Sequence, residues 1–207
     1  MKRLKIGEVD LVVKKMKKKT GLFFGSFNPI HNGHLAIVEH MMAHAGLDEV
    51  WFVVSPHNPL KEQASLLADH HRLTMVNLAM ETNPRFRSSD IEFSLPRPSY
   101  TIDTLAALQE QHPDREFILI AGADTLPTLH QWKNYDRLLE SQRFLIYPRP
   151  GTASTSFDTH PHMEWAGAPL LNISSTFIRK GIAEGKNVQD LLPERVWEYI
   201  VEKELYT

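Results

Sequence analysis

Cysteine is absent from the 207 residues, and that absence removes a disulfide framework, a thiol nucleophile and every thiolate metal site. Long apolar runs are missing too, so nothing in the sequence reaches the length of a membrane span. Neither sign of charge dominates: the net charge is −2 at pH 7. Its distribution is uneven. Lys2, Arg3, Lys5, Lys14, Lys15, Lys17, Lys18 and Lys19 face only Glu8 and Asp10 in residues 1–20, a local +6 that leaves −8 for residues 21–207. An acidic remainder argues against a general nucleic-acid surface. The basic stretch does not read as a signal peptide, because Gly7, Glu8 and Asp10 break its apolar run and no cleavage-like tail follows. The glycine fingerprint of dinucleotide folds is missing, and no Gly-Lys-Ser/Thr marks a Walker loop. With 42% hydrophobic and 23% charged residues, the chain can bury a core as one domain. Residues 1–20 read as a poorly ordered extension and 21–207 as the folded domain.

Against these absences stands one dense string, Gly25-Ser26-Phe27-Asn28-Pro29-Ile30-His31-Asn32-Gly33-His34. The apolar Leu22-Phe23-Phe24 precedes it and an amphipathic segment, 35–45, follows, an order that reads strand, tight turn, helix. The helix start leaves backbone N–H groups unpaired where the helix dipole favours an anion. His31 and His34 sit on that turn, and flanking glycines allow a phosphate close to the backbone. A lone His-x-x-His is more often a solvated pair; the whole string shifts the reading to phosphate handling.

The rest of the chain alternates strand and helix. Strands are expected at 21–25, 50–54, 85–93, 117–121, 144–147 and 169–173. Helices are expected from Gly33 to Ala45, from an Asp69 cap to about Glu81, at 102–111 and at 135–140. Two more follow Ser174-Ser175-Thr176 and Pro193, while 149–162 reads as a Pro/Gly/Ser/Thr-rich loop. Repeated strand–helix–strand units imply an α/β fold, a Rossmann-like parallel sheet with helices on both faces. Ligands in such sheets bind beyond the carboxyl ends of the strands at the switch point, where the 25–34, 55–61, 122–124 and 173–179 segments should converge.

Ile173-Ser174-Ser175-Thr176-Phe177-Ile178-Arg179 is the second signal. Three hydroxyls at a helix start can cap it or bind phosphate, and Arg179 lies one turn in from Ser175. Alone, this is an ordinary cap with a surface arginine. Paired with the first string, it resembles the Ile-Ser-Ser-Thr-x-Ile-Arg segment of the nucleotidylyltransferase superfamily. Gly-x-Phe-Asn-Pro-x-His-x-Gly-His is similar to the signature of its nicotinate mononucleotide adenylyltransferase branch.

That resemblance implies transfer of the adenylyl group of ATP to nicotinate mononucleotide, with Mg2+ accompanying the ATP and the protein in the cytoplasm. It implies His31, His34 and Arg179 as catalytic residues. Gly25, Ser26, Phe27, Gly122, Asp124, Ser174, Ser175 and Thr176 join His34 and Arg179 in binding ATP. Asn28, Lys61, Tyr100, Thr101 and Trp132 would receive the mononucleotide. Lys61 ends Ser-Pro-x-Asn-Pro-x-Lys, where many relatives carry histidine in place of Leu60. Trp132 could stack on the pyridine ring or fill the core, as Trp51 and Trp197 are expected to do. Backbone N–H groups at Tyr100 and Thr101 could hold the nicotinate carboxylate. Asp124 either faces the ribose or base, or caps a helix. His40 and His44, His70 and His71, and His160 and His162 lack a zinc-protease pattern and read as surface histidines rather than a metal site. The alternatives are phosphopantetheine adenylyltransferase, another nucleotidyltransferase of the superfamily, or a nucleotide-binding module without turnover. Met16 would make a natural start before the first strand. Deletion of residues 1–15 is expected to leave turnover intact, and a large loss in the shortened chain would contradict that.

Overall fold

A computed structural model describes residues 16–56, 66–169 and 173–207, together with the backbone of 3–6 and 9–12. Strands β1 (Arg3–Ile6) and β2 (Val9–Val12) pair antiparallel in a sheet of their own. The main sheet has six parallel strands: β3 (Lys18–Gly25), β4 (Glu49–Val54), β5 (Phe86–Ser89), β6 (Arg115–Gly122), β7 (Arg143–Tyr147) and β8 (Met163–Trp165). Their order across the sheet is β5-β4-β3-β6-β7-β8. The chain winds one way from β3 to β5, then crosses to β6 on the other side of β3. The switch point therefore lies between the carboxyl ends of β3 and β6, at Gly25 and Gly122.

Seven α-helices lie among the described residues: α1 (Asn32–Ala45), α2 (Asp69–Met80), α3 (Ile91–Ser94), α4 (Thr101–Gln111), α5 (Tyr135–Ser141), α6 (Ser175–Ala183) and α7 (Glu194–Glu202). Alternation along each strand divides the core in two. Phe23, Phe52, Ile120 and Leu145 face α1, α2, α6 and α7, while Leu22, Trp51, Val53, Leu119 and Ile146 face α4, α5 and the 3-10 helix Ala123–Gln131. Burial on both faces explains why these strands read as continuous apolar runs. Gly46, in the left-handed region at φ 59°, ends α1 as expected.

Four expectations change. The first strand begins at Lys18, not Gly21, because the amides of Lys18 and Lys19 donate to Asp114 and Asp48, and Thr20 is buried beside Glu49. The 85–93 segment is strand only to Ser89; Ile91 to Ser94 turns into α3, held where Phe93 N–H donates to Asp90. The sixth strand is Met163–Trp165, on the edge beside β7 and just past the segment read as loop. Residues 170–172, the middle of the strand expected there, lie outside the described residues. Asp69 does not cap α2, whose N-cap is Ala68. Its carboxylate instead accepts from Arg72 and Arg97.

Arg72 is fully buried. Its guanidinium has five N–H donors, and five contacts use them: Leu67 O at 3.0 Å, Ser26 O at 2.7 Å, Ser55 O at 2.8 Å, Pro56 O at 3.4 Å and Asp69 Oδ1 at 2.5 Å. One side chain thus ties the end of β3, the end of β4 and the entry to α2. Arg72→Met keeps the bulk but leaves four carbonyls and a carboxylate without those donors. The expected cost is about 3–5 kcal/mol, a fall of roughly 10 °C in Tm for a chain of this size. A thermal unfolding curve within about 1 °C of the parent's would contradict this role.

Candidate active site

The turn after β3 is built from the inside out. Phe27 takes a left-handed backbone, φ 44°, and buries its ring against Phe23, Phe52 and the edge of His34. Its side chain belongs to the core, so only its backbone can approach a nucleotide. A Cβ on Gly25 would lie 2.8 Å from the Phe27 ring, and one on Gly33 would lie 3.0 Å from Nδ1 of His31. Both glycines therefore make room for neighbouring side chains, where the sequence suggested room for phosphate. The Asn28–Pro29 peptide is cis.

His31 is the N-cap of α1 and His34 its third residue. Their rings stack, with centroids 3.6 Å apart and planes 20° apart. The His31 amide donates to Nδ1 of His34 at 3.2 Å. An amide can only donate, so Nδ1 of His34 is an acceptor, and the neutral ring carries its proton on Nε2. The His34 amide donates to the His31 carbonyl at 2.9 Å, and Nδ1 of the His31 ring is buried with no hydrogen-bond partner among the described residues. Burial, and then the nearby Arg149 charge, push the His31 pKa down to about 4. Two stacked imidazoles therefore stay short of a double positive charge at neutral pH.

The second motif docks directly on the first. Ser174 caps α6, its hydroxyl accepting from Phe177 N–H at 3.2 Å. Ser175 Oγ donates to Pro29 O at 2.9 Å, and Arg179 Nη1 donates to Asn28 O at 2.9 Å. Arg179 Nη2 also reaches Thr176 Oγ1 at 3.4 Å. These contacts bridge 146 and 151 residues of sequence, and they bring His31, His34, Ser174, Ser175, Thr176 and Arg179 to one place.

Gly122 and Asp124 arrive from β6. A Cβ on Gly122 would meet the Asp124 carboxylate and the Tyr147 ring. Asp124 is exposed and caps no helix; the N-cap of the 3-10 helix is Gly122 itself. Its carboxylate lies 3.6 Å from Nε of Arg149. Arg149 Nη2 donates to Tyr147 Oη at 3.3 Å, and the guanidinium stacks 5.1 Å over that ring. Buried Nε of Arg149 has no hydrogen-bond partner among the described residues. The sequence reading missed Arg149. Its only signal was position, two residues past the end of a buried strand in Tyr147-Pro148-Arg149-Pro150.

The remaining candidates gather around α4. Tyr100 is its N-cap, and its carbonyl accepts from the amides of Asp103 and Thr104, while Thr101 opens the first turn. Because α4 leads into a parallel strand, this turn lies at the same carboxyl edge as the histidines. Trp132, half-buried, ends the 3-10 helix and packs on the core of that face. Trp51 is buried in the same core and Trp197 packs partly against the other. Next to Trp132, Lys133 Nζ sits 5.0 Å over the Tyr100 ring and donates to Asp103 at 2.8 Å. Lys133, a cation beside the Tyr100 turn, was also missed. Lys61 lies outside the described residues.

Comparisons with known proteins agree with this geometry. A family model described as cytidylyltransferase-like matches residues 22–181. The chain is 50% identical over 193 residues to a "probable nicotinate-nucleotide adenylyltransferase" of Christiangramia forsetii, covering 92% of this chain and all of that one. It is 48% identical to the protein so named in Bacteroides fragilis, covering 90% of this chain and 93% of the relative. Among solved structures it resembles Plasmodium falciparum nicotinic acid mononucleotide adenylyltransferase complexed with NaAD, with a TM-score of 0.75 and 22% identity over 91% of this chain and 97% of the other. That likeness shows the shared fold.

Depression of the His31 pKa has a measurable sign. The folded chain resists protonation of a ring that the unfolded chain protonates near 6.5. Its stabilising contribution, of order 3 kcal/mol, is complete above 6.5 and is lost as pH falls from 6.5 towards 4. Ring titration followed by NMR is expected to show His31 still neutral at about pH 5. A midpoint near its ordinary value would contradict the buried, Arg149-flanked placement.

Proposed function

We propose that this chain, which belongs to the nicotinate-nucleotide adenylyltransferase branch of the cytidylyltransferase-like family, transfers the adenylyl group of ATP to nicotinate mononucleotide, giving nicotinate adenine dinucleotide for NAD synthesis. The observation that carries this reading is the direct docking of α6 on the histidine turn at the switch point, through Ser175 to Pro29 O and Arg179 to Asn28 O.

An oxygen of the mononucleotide phosphate attacks the α-phosphorus of ATP. The bond from that phosphorus to the oxygen bridging to the β-phosphate breaks, and pyrophosphate leaves with the electron pair. No protein atom becomes covalently bound, so the protein's task is alignment and charge stabilisation. His34, with its proton on Nε2, donates to phosphate oxygens as charge grows on the bridging oxygen. His31 supports that donor by fixing the His34 tautomer through its amide. Arg179 and the Ser175 and Thr176 hydroxyls hold the departing β- and γ-phosphates, and Ser174 keeps the helix start in place. Arg149 adds a second guanidinium facing the same phosphates. Gly25, Ser26 and Phe27 contribute backbone, and Gly122 and Asp124 flank the nucleoside.

The donors at the site are imidazole, hydroxyl and guanidinium, which suit phosphate oxygens and not Mg2+. Among the described residues no group of three or more His, Asp or Glu could hold a metal. In this reading Mg2+ accompanies the nucleotide, where it would keep much of its own water and neutralise phosphate charge. Asn28, Lys61, Tyr100, Thr101 and Trp132 receive the mononucleotide, with the α4 start offered to its carboxylate. No described helix is long and apolar enough to cross a membrane, and we place the reaction in the cytoplasm with its ATP. Transfer to phosphopantetheine is the weaker reading, because the relatives reported above carry the name nicotinate-nucleotide adenylyltransferase. A module that only binds would have no need of His31, His34 and Arg179 together.

His34→Ala tests the assignment. Loss of one transition-state donor is expected to lower kcat about 10²–10³-fold, with little change in the mononucleotide KM. Initial-rate kinetics of pyrophosphate release read both constants. An unchanged kcat would contradict the role of His34.

A further inference from the structure

Two carboxylates flank the turn that opens α4. Glu92 is buried, with Oε1 accepting from Thr104 Oγ1 at 2.8 Å and Oε2 from Ser99 Oγ at 3.0 Å. Thr104 Oγ1 also reaches Tyr100 O at 3.2 Å, so this carboxylate is tied to residues on both sides of the turn. Asp103 is the acidic residue of the first helical turn, and no side chain caps that end of the helix.

Nicotinate carries a carboxylate where nicotinamide carries an uncharged carboxamide. Unopposed, Glu92 and Asp103 would repel the first and leave the second untouched. Hydroxyl donors occupy both oxygens of Glu92, but Asp103 meets a full charge. Lys133 follows Trp132, and its Nζ donates to Asp103 Oδ2 at 2.8 Å while lying 5.0 Å over the Tyr100 ring. The ammonium thus offsets the acid of the first turn and places positive charge against Tyr100. Both side chains are nearly half exposed, 45% for Lys133 and 46% for Asp103. Water and salt screen charges at such exposure, which limits the effect to a few-fold.

We propose that Lys133 is a specificity-determining residue, favouring a pyridine mononucleotide that bears a carboxylate over one that bears a carboxamide. This rests on the reading of Tyr100, Thr101 and Trp132 as binding elements for the mononucleotide. Lys133 acts through charge, by offsetting Asp103 beside the bound pyridine. A lysine that only held the Trp132 segment to α4 would serve both acceptors equally.

Lys133→Met keeps the length of the side chain and deletes its charge. The KM for nicotinate mononucleotide is expected to rise roughly two- to fivefold, the range of one exposed charge pair. The constant for nicotinamide mononucleotide, read as KM or as a competitive inhibition constant, should not rise with it. Lys133→Arg is expected to keep the parent's preference, and Asp103→Asn in the Lys133→Met background to recover most of it. Added salt should narrow the difference between parent and Lys133→Met. A nicotinate preference that Lys133→Met leaves unchanged, or an equal weakening of both acceptors, would overturn the proposal. So would a parent that does not distinguish the two. Equilibrium binding of each mononucleotide reads the same ratio without turnover. Absence of turnover in the parent would overturn the functional reading, and the binding ratio would then decide the role of Lys133.

Discussion

The buried guanidinium of Arg72 is the constraint on which the site depends. Parallel strands end in loops that have no ladder to satisfy their carbonyls, and buried carbonyls must find donors. Arg72 supplies them to Ser26, Ser55, Pro56 and Leu67 at once, with Asp69 balancing its charge. A buried charge of this kind is tolerable only when every donor is used, and here each is. The consequence reaches the chemistry. Ser26 opens the histidine turn and Leu67 holds Asn28, so two binding elements share one anchor.

Upon that frame the site separates neutral donors from fixed charge. His31 is kept uncharged by burial and by Arg149, and it orients His34 through a backbone amide. The positive charge that a triphosphate requires comes from guanidinium groups, which do not titrate near neutrality. Arg179 is held by Asn28 O and Thr176, and Arg149 by Tyr147 with Asp124 close by. His34, whose Nδ1 accepts from the His31 amide, has Nε2 as its outward donor, which suits a reaction whose demand is positioning.

Much of this was legible in the sequence because its signals are local and periodic. Apolar runs such as 50–54 and 117–121 mark doubly covered strands, and the 25–34 and 173–179 strings carry their turn and cap chemistry within a few residues. Asp69 shows where such reasoning stops: the residue type suits a cap, yet the partner that claims it, Arg72, is chosen by three loops meeting in space. The edge strand β8 escaped for a related reason. Three residues beside His160 and His162 give no period to read, and the strand exists because β7 offers a free edge. Arg149 and Lys133 were invisible as site residues, since their meaning lies wholly in contacts across the fold. The glycines at 25 and 33 were read as room for a phosphate to approach the backbone; a Cβ at either would meet a neighbouring aromatic ring or imidazole.

A doubly wound sheet, a stacked histidine pair and two guanidiniums meet at one point, with the α4 start and Trp132 along the same edge, and that arrangement supports the proposed transfer. The measurement that tests this most directly is pyrophosphate release by the purified chain with ATP and Mg2+, offered nicotinate mononucleotide, nicotinamide mononucleotide or phosphopantetheine in parallel. Turnover with the pyridine mononucleotides, and preferentially with the nicotinate form, is the predicted result. Release with phosphopantetheine alone, or ATP binding without release for any acceptor, would contradict it.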